Sequence, residues 1–111
     1  MTPLEPILRV RRDDLVRALN LSAVELRVLV FLLVRACPTT ARVWDPPERI
    51  AEKLGYRDVS PVEDALHALA GREFLEEHPT LMRQLRCVEL GTVLLRSFAP
   101  PDNLPIEPSP V

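Results

Sequence analysis

The stretch "ERIAEKLGYRDVSPVEDALHALAGREFLEE", Glu48–Glu77, holds two helical patterns separated by a glycine. In the first, Ile50, Ala51 and Leu54 make one apolar stripe and Gly55 follows as a stop. In the second, from about Pro61 to Ala70, Val62, Ala65, Leu66 and Leu69 recur at helical spacing and face inward. Two helices that cross at a sharp angle need a small residue at the crossing and a tight turn between them. Ala51 and Gly55 supply these. The second helix then projects, with Ser60, Glu63, Asp64, His67 and Ala68 on its outer side.

Outward from this pair, three helix starts share one device. "SAVE" (Ser22–Glu25), "DPPE" (Asp45–Glu48) and "SPVE" (Ser60–Glu63) each place a capping residue three positions before a glutamate. A capping box at each is expected, with the cap side chain accepting from the first turn and the glutamate reaching back. Pro46 and Pro61 would then take the first helical position, where a missing N–H costs nothing. The helix opened by Ser22 runs to Ala36, before Pro38, and is apolar nearly all round in "VLVFLLV" (Val28–Val34). A small domain has too little interior to bury such a helix on every side. One side is therefore expected to pack on a second subunit.

"TTARVW" (Thr39–Trp44) reads as a short strand. Phe74-Leu75 and Leu85–Leu90 read as a hairpin around "HPTLMRQ". Gly91–Phe98 fits strand or helix. "RRDDLVRAL" (Arg11–Leu19) reads as a short helix with Leu15, Val16 and Leu19 on one face, preceded by an extended arm, "PILRV". From Pro100 to Pro110 there are five prolines in eleven residues, an extended tail. The expected organisation is an arm and short helix over 1–20, a domain over 21–98 and a Pro-rich tail over 99–111.

Helix, short strand, helix, turn, helix, hairpin: on "ERIAEKLGY" and "VEDALHALAGREFLEE" the chain resembles the winged helix-turn-helix family. In that family an Ile-Ala-x-x-Leu-Gly segment packs the second helix and turns at the glycine, here Ile50, Ala51, Leu54 and Gly55. "FLEE" resembles the first wing strand. The resemblance spans roughly Leu21 to Leu90 and looks like bacterial regulators and plasmid replication initiators of this class. It implies an α+β fold, a three-helix core with a β-hairpin wing, and double-stranded DNA as the partner. Two departures stand out. Family members that read DNA show Ser, Thr, Arg, Asn or Gln along the third helix, where this chain shows Glu63 and Asp64. The glycine often found just before the wing strand is displaced to Gly71, and Glu73 stands before Phe74.

An acidic first turn repels phosphate, although a carboxylate can accept from a cytosine amino group. The net charge of −2 also lacks the basic balance usual for nucleic-acid binders. Phosphate contacts would fall to Arg57 in the turn and to Arg83 and Arg86 by the wing tip, with no acid between Pro79 and Cys87. Ser60, Asp64 and His67 would face the groove. The N-terminal cluster Arg9, Arg11, Arg12 and Arg17 is diluted by Asp13 and Asp14. The alternative is a winged helix used as a protein–protein module, its acidic third helix facing a basic partner.

Other chemistry finds little support. Cys37 and Cys87, with His67 and His78, lack metal-ligand spacing, and free thiols in a reducing cytoplasm are expected. No nucleophile triad or paired-carboxylate site stands out, and three glycines make no phosphate-cradling loop. No catalytic residue, cofactor or metal is expected. "VLVFLLV" is far shorter than the ~20 residues of a membrane span, and with Glu5 where a secretory segment would be basic no signal peptide is expected.

Overall fold

The computed structural model describes residues 4–94. The 99–111 tail and the second half, 95–98, of the Gly91–Phe98 segment lie outside that range, and the first half is strand. The chain is α+β: β1 (Leu4–Val10), α1 (Arg12–Ala18), α2 (Ala23–Arg35), β2 (Arg42–Val43), α3 (Pro47–Leu54), α4 (Ser60–Gly71), β3 (Leu75–Glu77), β4 (Arg83–Leu85) and β5 (Val88–Leu94).

Two helices make the centre. Val28, Leu29 and Leu32 of α2 pack with Val62, Ala65, Leu66 and Leu69 of α4, joined by Ile50, Ala51, Val43 and Phe74. Arg27 fixes the α3–α4 turn against α2: its guanidinium donates to the Leu54 carbonyl (2.9 Å) and the Tyr56 hydroxyl (3.1 Å). Gly55 ends α3 in the left-handed region at φ 83°, where the Tyr56 N–H returns to the Ala51 carbonyl.

Of the three expected capping boxes, one forms: Ser22 accepts from the Glu25 N–H, and Glu25 from the Ser22 N–H. At α3 the cap is Pro46, not Asp45. A residue before proline is pushed out of the α region, so Pro47 holds Pro46 extended (ψ 159°) and moves the start one residue along. Asp45 then points back to α2, where its buried carboxylate takes Arg35 Nε at 3.2 Å. At α4 the cap is Val59, Ser60 is already helical, and neither Ser60 nor Glu63 makes a capping bond.

The hairpin β3–β4 is antiparallel, with Leu75 opposite Leu85 and Glu77 opposite Arg83. β2 adds on the far side of β4, so the strand order is β2–β4–β3. The chain then departs from the expected long hairpin. Val88–Leu94 leaves this sheet and pairs with the N-terminal arm in a separate antiparallel ribbon, Leu4 opposite Leu94 through Val10 opposite Val88. The bond from the Arg11 N–H to the Cys87 carbonyl sets its phase. Glu5, Ile7 and Arg9 exchange bonds with β5, and the even-numbered residues of β1 turn their backbone outward. Pro6 is one of these, so its missing N–H costs no internal bond and blunts the open edge.

α1 docks by few residues. Ala18 is buried, and Arg17 stacks over the Phe74 ring at 4.4 Å and donates to the Arg72 carbonyl at 2.7 Å. Leu15, Val16 and Leu19 share one face, but it looks out to solvent, at 56, 59 and 81% exposure.

Candidate interaction surface

α4 buries Val62, Ala65, Leu66 and Leu69, which turns Ser60, Glu63, Asp64 and His67 outward together, all exposed. Three of the expected contact residues, Ser60, Asp64 and His67, therefore do share one face. Arg57 is exposed in the turn just before it, and it lines a shallow pocket with Glu48, Glu52 and Asp58. A second shallow pocket, at the first turn of α4, brings Glu25 beside Asp64. Acids outnumber cations in both. Neither Glu63 nor Asp64 makes an ion pair among the described residues.

Arg83 and Arg86, in and just after the second strand of the β3–β4 hairpin, are not placed as expected. Arg83 is 6% exposed. Leu85 and Cys87 follow it at alternate positions and are buried, so the pleat carries Arg83 to the same inner side. There its Nε donates to Glu77 Oε1 (3.2 Å) and its NH1 to the Asp45 carbonyl (3.1 Å). It ties the hairpin to the chain leading into α3 and has no reach toward a ligand. Arg86 is exposed, but it is paired with Glu76 across the hairpin. The acids that occupy both arginines lie on β3, outside the acid-free run from Pro79 to Cys87. With Arg83 buried and Arg86 paired, Arg57 is the one of the three that is exposed with no ion pair among the described residues.

Cations that the sequence reading passed over lie on α3. Arg49 and Lys53, four residues apart, are exposed and make no ion pair among the described residues. Their spacing was visible in "ERIAEK", masked there by the interleaved Glu48 and Glu52. In the N-terminal cluster, Arg9 and Arg11 approach Glu89 (3.8 and 4.0 Å) and Arg17 approaches Asp14 (3.5 Å).

The two cysteines are free thiols of opposite character. Cys37 lies in the turn after α2, where its sulfur is 3.1 Å from the Thr39 hydroxyl. Hydrogen bonds from the Thr39 and Thr40 side chains favour the thiolate and lower its pKa to about 6. Cys87 is buried, and desolvation pushes its thiol up. No group of three His, Cys, Asp or Glu among the described residues is arranged to hold a metal ion. No family model, curated protein or solved structure matches this chain.

Proposed function

We propose that the chain is a winged helix-turn-helix module that works by protein–protein contact, presenting the acidic outer face of α4 to a basic partner surface. The strand order β2–β4–β3 behind the α3–Gly55–α4 turn supports the winged-helix reading, because a wing hairpin that returns to pair with the strand after the first core helix has this order. The observation that carries the protein reading is the pairing of charges. Glu63 and Asp64 stand exposed with no cation paired to them among the described residues, while Arg83 is buried and Arg86 is held by Glu76. Phosphate binding draws its affinity from cations free to displace counterions, and two of the three expected ones are committed elsewhere.

Duplex DNA is the second reading. It is favoured by the exposure of a whole face of a helix that follows a tight turn, the geometry that enters a major groove about 12 Å wide. Its phosphate contacts would come from Arg49, Lys53 and Arg57.

A gel-shift titration against mixed duplex fragments at low salt separates the two, beside fluorescence anisotropy with Arg/Lys-rich helical peptides. The protein reading expects no shift at high micromolar protein, and peptide binding that weakens about tenfold when Glu63→Gln is combined with Asp64→Asn. A duplex shift that this double change strengthens, and that Arg49→Ala with Lys53→Ala weakens, would transfer the function to DNA.

A further inference from the structure

α2 has two apolar sides. Val28, Leu29 and Leu32 are in the core, while Leu26, Val30 and Val34 recur at every fourth position on the opposite side, 40, 50 and 78% exposed. Phe31 and Leu54 extend this stripe into a shallow apolar groove with Arg27 at its rim. The outward face of α1, Leu15, Val16 and Leu19, comes just before it in the chain. The connection between the helices is a tight turn, closed by the Leu19, Asn20 and Leu21 N–H groups on the carbonyls of Val16, Arg17 and Ala18.

We propose that these two helix faces form the interface between two copies of this chain. Area is the first argument. A stable homodimer buries about 800 Å² on each partner, about 65% of it apolar, so on the order of 500 Å². At about 100 Å² of apolar side chain each, the six exposed aliphatics at their exposures offer roughly 350 Å². The half-buried Phe31, Leu33 and Leu54 beside them add up to about 100 Å², which brings the two helix faces together close to a figure that neither reaches alone. Symmetry is the second argument. The stripe Leu26–Val30–Val34 is aliphatic at all three positions and evenly spaced about Val30, so an antiparallel copy related by a two-fold axis through Val30 sets Val30 on Val30 and Leu26 on Val34, aliphatic on aliphatic along the whole stripe. The surface is independent of the outer face of α4, so this inference does not depend on what that face binds.

Light scattering at micromolar concentration should give about twice the 12.6 kDa chain mass. Val30→Glu, at a position already half exposed, should halve that mass with unchanged circular dichroism. Leu15→Glu combined with Leu19→Glu should weaken the dimer at least about tenfold. If the glutamate variants fail to fold, cross-linking decides. In a Cys37→Ser background, Val30→Cys should form a covalent dimer under mild oxidation, and Arg49→Cys on α3 should not. A wild type that stays monomeric at about 100 μM would overturn the proposal and leave the stripe to a different protein. So would a dimer indifferent to Val30→Glu, or equal cross-linking at positions 30 and 49.

Discussion

Glu73 ends α4 in the left-handed region, at φ 64°, with the Phe74 N–H returning to the Leu69 carbonyl and the Glu73 N–H to Ala70. This is the backbone that a glycine takes most easily. The chain's own glycine, Gly71, sits two residues early, inside the helix and without a positive φ. The displaced glycine of the sequence is thus a displaced side chain and not a displaced turn. Glu73 is exposed, so Glu73→Gly removes strain and little else. It should stabilise the fold by about 1 kcal/mol and raise Tm by ~4 °C, and an unchanged or lower melting point would refute this reading of the turn. Cys37 offers a second test at this scale. With a pKa of about 6 it is mostly thiolate at pH 7, so brief iodoacetamide treatment of the native protein should label Cys37 and spare Cys87. The labelling rate should rise through pH 6 and then level off. Equal labelling of both, or a rise centred near the usual 8.5, would contradict the Thr39 and Thr40 hydrogen bonds.

At the scale of elements, helix positions were legible because burial and period coincide. α2, α3 and α4 start and stop within one or two residues of the pattern set by their apolar positions and by Gly55 and Pro38. Caps were less legible, because the same four-letter motif meets different neighbours. In "SAVE" nothing interferes, whereas Pro47 in "DPPE" constrains the residue before it and sends Asp45 to Arg35. The hairpin shows the same limit. The alternation Arg83, Leu85, Cys87 already placed Arg83 inward, but an acid-free run drew attention to charge along the strand. Charge across the strands was what counted: Glu76 and Glu77 reach Arg86 and Arg83 from β3. Such partners depend on register, which is set by tertiary pairing. The partner of β5 was hidden for that reason too. Its apolar residues suit a strand, but nothing local says that the other half of the ribbon lies at the opposite end of the chain.

At the scale of the whole molecule, that ribbon closes the chain on itself. Leu4 and Leu94 are opposite one another, and every other described residue lies on the loop between them. The paired strands run from this junction to Val10 and Val88, where the helical body begins. A force applied to the chain through residues 4 and 94 therefore acts across the ribbon and not along it. It loads one pair of backbone bonds at a time, as in a zipper, whereas strands pulled lengthwise past one another share the load among all their bonds. Optical-tweezers pulling from these two points should give an early, low-force release of the ribbon followed by a separate rupture of the helical core. A single cooperative rupture at high force would show that the ribbon and the body yield together. The ribbon is thus a mechanical fuse: tension on the two ends is spent in opening it before any of it reaches the faces of α2 and α4.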